Sequence, residues 1–207
     1  LSICCQSPER FLRKKESKVY SQPIKGTTKR GTSSEEDQHL IDTLSSSEKE
    51  RAENLMIVDL VRNDLSKIAE HGTVKVTELF GIQSFDTVHQ MVSTIMAKTK
   101  ERNPVEVIKA CFPMGSMTGA PKISAMKTIE KLEDYKRGVY SGAIGYIAPH
   151  DDFDFNVVIR TALIKNNQLY YSVGGAITGD SDPQEEWEET QIKARALVHA
   201  SNRNKKA

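Results

Sequence analysis

Apolar positions recur along this chain at two spacings. Downstream of Ser46 and Ser47, the run through Glu50, Glu53, Met56, Ile57 and Leu60 returns its apolar members every three or four residues, the period of a helix face. Either serine can cap that helix, and Glu48 and Glu50 complement the positive end of its dipole. The same reading predicts helices around 87–96, over 105–112 with Pro113 as its stop, over 122–132, and from Gln184 towards Ser201 behind Pro183. Within the Ser- and Glu-rich stretch 32–48, Leu40, Ile41 and Leu44 mark a short surface helix and a linker. Residues 1–31 alternate short β-like runs, 1–5 and 18–20 among them, with turn residues at Ser7, Pro8, Pro23 and Gly26. Residues 73–79 read as a further strand. The β-rich runs 139–148, 153–164 and 168–177, parted by His150-Asp151-Asp152 and Lys165-Asn166-Asn167, read as a meander before the last helix. Residues 202–207 read as a solvated tail. These elements predict an α+β fold, antiparallel sheets packed against helices.

Composition narrows the class. With 29 Lys and Arg against 28 Asp and Glu, the chain has a formal charge of +1 and lacks the basic excess of a nucleic-acid binder. A 38% hydrophobic and 28% charged content fits a globular chain and excludes disordered and collagen-like structure. No run approaches the roughly 20 apolar residues that span a bilayer, so no membrane role is expected. Cys4, Cys5 and Cys111 form neither a disulfide framework nor a zinc spacing, which fits a reducing cytoplasm. The chain opens at Leu1 inside a strand-like run, and a lone strand needs partners, so it is expected to be a piece of something longer.

Local features suggest chemistry. Glu50 and Glu53 are three apart, as are Glu186 and Glu189, so each pair projects from one helical face. Four such carboxylates around one point make an oxygen site for Mg2+; solvated helix faces are the competing reading. Lys25 precedes Gly26, which admits close backbone approach, so this Lys is either a nucleophile, an anion contact or a surface residue. The Gly-rich loop 115–122 opens a helix, the setting of an anion site or of a tight entry turn, and Pro121 breaks the phosphate-loop pattern. Gly174-Gly175 at a strand end allows close approach to a ligand or forms a bulge. Arg160, inside the apolar run 157–163, calls for an acidic partner or a carboxylate ligand.

Together, Ser7-Pro8-Glu9-Arg10-Phe11, residues 23–27, Arg51-Ala52-Glu53-Asn54-Leu55-Met56-Ile57-Val58-Asp59-Leu60 with Arg62-Asn63-Asp64-Leu65, residues 115–122 and residues 174–190 resemble the chorismate-binding enzymes. That family includes anthranilate synthase, isochorismate and salicylate synthases and the large component of aminodeoxychorismate synthase. The resemblance runs in the family's order over nearly the whole chain. It implies that residues 1–201 are the C-terminal half of a catalytic domain about twice this length, so the N-terminal half of the same enzyme is an expected partner. It also implies the family's fold, with the active site in a cleft between sheets.

Further implications concern the reaction. The residue before Gly26 is usually Ala in the anthranilate, isochorismate and salicylate enzymes and Lys in the aminodeoxychorismate enzyme, as at Lys25 here. The resemblance thus points to a transferase that aminates chorismate to 4-amino-4-deoxychorismate, the precursor of p-aminobenzoate and folate. Lys25 would be the nucleophile, Glu9 the general acid, and His89 an active-site histidine near the leaving hydroxyl, a core histidine being its bland reading. Glu53 and Glu189 would ligate Mg2+, helped by Glu50 and Glu186. Gly26, Thr27, Gly174, Gly175, Ala176 and Lys193 match the ring-carboxylate and backbone contacts, and Tyr140 and Arg160 the grip on the enolpyruvyl carboxylate. Ammonia would come from a glutamine amidotransferase subunit. Two positions depart from the family pattern: Met114 where Gly is frequent, and Ala176 where a third Gly is usual. The competing readings are anthranilate or isochorismate synthesis on the same scaffold, and a catalytically incomplete fragment that binds Mg2+ and an anion.

Overall fold

A computed structural model describes residues 1–179 and 181–203, with 196–203 described by backbone alone. In chain order its elements are β1 (Ser2–Cys5), β2 (Arg10–Lys15), β3 (Lys18–Gln22), β4 (Ile24–Lys29), α1 (Ser34–Ser46), α2 (Glu48–Ser66), β5 (Lys75–Ser84), β6 (Val88–Lys98), α3 (Pro104–Cys111), α4 (Lys122–Leu132), β7 (Ala143–Ile147), β8 (Phe153–Val157), β9 (Thr161–Lys165), β10 (Gln168–Tyr171) and α5 (Pro183–Arg203). They fall into two compact units. One takes Leu1–Pro8, Arg137–Ser141 and Val158 onwards, and the other takes Glu9–Lys136 and Gly142–Val157.

The larger unit is built on a seven-stranded antiparallel sheet. Its centre is β6, with β5 on one edge and β3 and β4 lying end to end along the other. Ser21 opposes Ile95 and Ile24 opposes Val92, so the register runs unbroken past Pro23. Beyond β3 the order continues through β2 and β8 to β7. Helices α1 and α2 pack on β4, β5 and β6, and α3 packs on α2. The core holds Leu12, Val19, Ile57, Val58, Leu65, Met91, Ile95, Val107 and Phe153. One buried polar tie, Ser93 Oγ donating to Asn54 Oδ1 at 2.6 Å, fixes α2 on β6.

Helix boundaries follow local chemistry. Ser47 caps α2 by accepting from the Glu50 amide. Asn103 caps α3 with Pro104 in its first turn, and that helix closes before Pro113. The stretch 122–132 is helical as expected, and α5 begins at Pro183. It runs to Arg203, two residues into the expected tail; residues 204–207 of that tail lie outside the described residues.

Two expectations are corrected. Residues 87–96 are not a helix but most of β6, where His89, Gln90, Met91, Val92, Ser93 and Ile95 are all buried. A strand covered on both faces loses its two-residue alternation, and its apolar run then mimics a helical spacing. The expected single strand 153–164 is two strands, β8 in the larger unit and β9 in the smaller. The chain breaks at Arg160, whose φ of +49° is incompatible with continued extension.

The smaller unit holds a three-stranded antiparallel sheet in the order β1-β9-β10, with Ser2 opposite Ile164 and Gln168 opposite Lys165, together with α5. Asn166 and Asn167 both take positive φ, 50° and 60°, and make the two-residue turn between β9 and β10. Among the described residues no helix is long and apolar enough to cross a membrane.

Candidate active site

Lys25 owes its position to a β-bulge. Ile24 pairs with Val92 and Thr27 with Gln90, so Lys25 and Gly26 together oppose the single residue Met91. A bulge bends its strand and re-aims a side chain. Here the Lys25 ammonium meets α2, 3.7 Å from Glu53 Oε2, with the two side chains only 17% and 15% exposed. Gly26 makes this possible, because its φ is +84° and a Cβ would stand 3.0 Å from Leu44 and 3.1 Å from Glu50 Oε2. Gly26→Ala is therefore expected to lower stability by roughly 1–3 kcal/mol, the cost of a strained left-handed residue. Urea titration checks this, and an unchanged midpoint would show that the bulge tolerates a side chain.

Glu9, just before β2, is 6% exposed, and its carbonyl accepts from the Val157 amide at 3.0 Å. Burial pushes its carboxyl up to about 7, against the opposing pull of a hydrogen bond from Ser116 and the charge of Lys25. A carboxyl poised there holds its proton at neutral pH about half the time, the condition for a general acid. Ser116 itself is absent from the sequence-derived site; its only signal is its place after Gly115 in the Gly-rich loop.

In the Gly-rich loop, Lys122 is taken up by protein groups: its ammonium bonds the Asp64 carboxylate and donates to the carbonyls of Pro113 at 2.6 Å and Cys111 at 3.3 Å. Cys111 lies alongside, its thiol pushed up to about 12 by burial and by Asp64, which keeps it unreactive.

The His89 ring has no exposure, Nε2 is hydrogen-bonded to Asp37 Oδ1 and Nδ1 to Ser84 Oγ, each at 2.8 Å. Both ring nitrogens are occupied by protein partners. Arg30, the Gly31 amide and His89 hold the Asp37 carboxyl well below the usual range. On the next residue of β6, Gln90 donates to Thr27 Oγ1 at 3.4 Å.

In the smaller unit, Tyr140, Gly174, Gly175, Lys193, Glu186 and Glu189 gather. A Cβ on Gly174 would meet the Tyr140 hydroxyl at 3.1 Å, and one on Gly175 would meet Glu186 Oε2 at 2.9 Å. Lys193 pairs with Glu189 and donates to the Gly174 carbonyl at 3.1 Å. Ala176 follows this pair, partly exposed, while Arg160 is exposed at the strand break rather than buried within a strand.

The paired acids divide between the units, Glu50 and Glu53 in the larger, Glu186 and Glu189 in the smaller. Neither unit, among the described residues, gathers three or more His, Cys, Asp or Glu side chains around one point. Glu186 nevertheless suits a cation. It is 7% exposed; Oε1 accepts from Ser181 Oγ at 2.9 Å, while the buried Oε2 has no hydrogen-bond partner. A buried carboxylate oxygen left without a donor is costly unless a positive group meets it.

A family model described as chorismate binding enzyme matches residues 1–199. The chain belongs to the chorismate-binding enzyme family. It is 50% identical over 198 residues to a probable chloroplastic aminodeoxychorismate synthase of Oryza sativa subsp. japonica, covering 95% of this chain and 22% of the relative. It is 49% identical over 200 residues to the aminodeoxychorismate synthase of Streptomyces griseus, covering 96% and 28%. Among solved structures, anthranilate synthase component I of Streptococcus pneumoniae superposes with a TM-score of 0.84 at 39% identity, covering 94% of this chain and 43% of that one. The chain spans only 22% and 28% of the length of these two relatives.

As a member of the chorismate-binding enzyme family, the chain has the fold that its sequence led one to expect: antiparallel sheets with helices packed on them. Glu9 and Lys25 lie within one unit, where the charge of Lys25 acts on the Glu9 carboxyl.

Proposed function

We propose that this chain supplies catalytic groups of an enzyme that replaces the C4 hydroxyl of chorismate with an amine, giving 4-amino-4-deoxychorismate for p-aminobenzoate and folate synthesis. One observation carries the reading: a lysine held in a bulge, partly buried, beside a carboxyl that keeps a proton near neutrality. The naming of two relatives near 50% identity as aminodeoxychorismate synthases supports it.

In this scheme the neutral Lys25 amine bonds to C2 of the ring, both conjugated ring double bonds shift towards C4, and the C4 hydroxyl departs as water with the proton from Glu9. Ammonia then attacks C4, both double bonds shift back, and the Lys25 amine leaves C2, restoring the ring diene. The ammonia comes from a glutamine amidotransferase subunit. Tyr140 and Arg160 take the enolpyruvyl carboxylate, Arg160 by its bidentate fork. Gly26, Thr27, Gly174, Gly175, Ala176 and Lys193 take the ring carboxylate and neighbouring ring atoms. Glu53 and Glu189, helped by Glu50 and Glu186, would hold Mg2+, which when bound supplies positive charge to the ring carboxylate.

Four glutamates facing a dianion repel it unless a cation intervenes. Chelation with EDTA is therefore expected to weaken chorismate binding about tenfold or more, equivalent to about 1.4 kcal/mol or more. Calorimetric titration reads this, and equal affinity with and without chelator would remove the metal from the scheme.

The reaction is tested by mass spectrometry of the products that the native polypeptide carrying this sequence forms from chorismate, Mg2+ and an ammonium salt. Aminodeoxychorismate is the expected product. Anthranilate or isochorismate would transfer the site to the second reading, which the likeness to an anthranilate synthase favours.

A further inference from the structure

The Gly-rich loop 115–122 has no part in that scheme, yet its residues converge on the proposed acid. Glu9 takes a side-chain hydrogen bond from Ser116, and the two line one small cavity with Asp64, Cys111 and Met114. Ser116 sits in a single 3-10 turn, Gly115–Met117, in which the Met117 and Thr118 amides donate to the carbonyls of Met114 and Gly115, each at 3.2 Å. Gly115 lies so close to α2 that a Cβ would stand 3.0 Å from Leu60. Behind the turn the Lys122 side chain is 13% exposed and that of Asp64 only 7%. Because Lys122 also binds the Pro113 and Cys111 carbonyls, one cation ties both arms of the loop to a carboxylate on α2. A buried ion pair is a poor source of stability but a good source of fixed geometry when its remaining protons are used.

We propose that Ser116 is a positioning residue for Glu9, its hydroxyl holding the carboxyl in one orientation, and that the Asp64–Lys122 pair is the clamp that sets the turn from which Ser116 acts. The inference rests on Glu9 as the proton donor of the reaction above. Phe11, Leu12 and Ile57 line the same cavity and offer no hydrogen bond to a carboxyl, so the Ser116 hydroxyl bears directly on which oxygen presents the proton. Other charged or titratable groups that bear on Glu9 or line its cavity are Lys25 from β4, Arg10 from β2, Asp64 from α2 and Cys111 from α3. Arg10 is neutralised by Asp154 at 2.9 Å.

The test follows the Glu9 carboxyl by 13C NMR in the native polypeptide labelled at glutamate carboxyls, the signal being identified by its loss in Glu9→Gln. In Ser116→Ala the Glu9 midpoint is expected to rise by roughly 0.5–1 unit, because a donor to the carboxylate is gone, and Ser116→Thr is expected to restore it. An unmoved midpoint in Ser116→Ala overturns the positioning role. Lys122→Met is expected to move the midpoint in the wild-type background and hardly at all in the Ser116→Ala background. Equal shifts in both would reflect mere loss of a charge and overturn the clamp. In turnover of chorismate, Ser116→Ala should lower kcat with KM held. A Glu9 signal that behaves as stated in a protein that leaves chorismate untouched would sink the proposed reaction and leave the clamp standing.

Discussion

Amination of chorismate is expected to fall by on the order of 1,000-fold or more in Lys25→Ala, because the proposed covalent route loses its nucleophile while the proposed acid remains. The loss is chemical rather than one of shape. Lys25 belongs to a bulge whose geometry depends on Gly26, and its side chain is not part of the buried apolar core. Removing the ammonium also leaves Glu53 without its partner at 3.7 Å, which complicates the reading of affinity. Lys25→Arg separates the two effects. Its guanidinium keeps the charge beside Glu53 but cannot lose a proton to form the bond, so binding should persist and amination should not. Product formation by mass spectrometry, with intact-mass detection of a lysine adduct in the wild type, decides the matter. Near wild-type amination by either variant would end the nucleophile assignment.

Glu9→Gln is expected to lower kcat by about 10²–10⁴, the range lost when a positioned proton donor is removed. The same substitution should alter the pH dependence of stability in the opposite sense. The Glu9 carboxyl rises from an ordinary 4.5 to about 7 in the folded chain, so between those values the folded state binds the proton more tightly than the unfolded state. Its contribution is complete below about 4.5 and is lost as pH climbs through 7. At roughly 1.4 kcal/mol per unit the difference across that window is about 3 kcal/mol. Glutamine has no proton to lose, so Glu9→Gln should gain stability relative to wild type at pH 8 and lose that gain at pH 4.5. Urea titrations at the two pH values measure this, and parallel curves for the two proteins would show that Glu9 is not the buried acid described. Wild-type turnover should likewise decline as pH rises past about 7.

The helices were legible because their signals are local. Ser47 and Pro183 mark starts, Pro113 marks a stop, and Met56, Ile57 and Leu60 return at helical spacing. The strand β6 was hidden because Met91, Val92 and Ile95 are buried on successive faces, which erases the alternation that identifies a strand. The break at Arg160 was hidden because no Gly, Pro or Asn marks it. In the site, Lys25 and Glu9 stand in family motifs and could be found there. Ser116 could not, because a small polar residue in a turn looks like any turn residue until Glu9 is seen against it. The closure of His89 by Asp37 and Ser84 joins residues 52 and five positions away, a relation set by sheet pairing and helix packing.

The bulge in β4 also bears on how such a protein can change over generations. Positions 25 and 26 together stand opposite Met91 and neither is a paired position of the ladder, so the pairing does not depend on what side chain position 25 carries. An exchange of lysine for a smaller residue there leaves the pairing frame on either side intact, and the tolerance resides in the backbone rather than in a spacious pocket. A scaffold that confines its reactive group to a position exempt from sheet packing can trade one reaction for another through a single codon, without first having to refold.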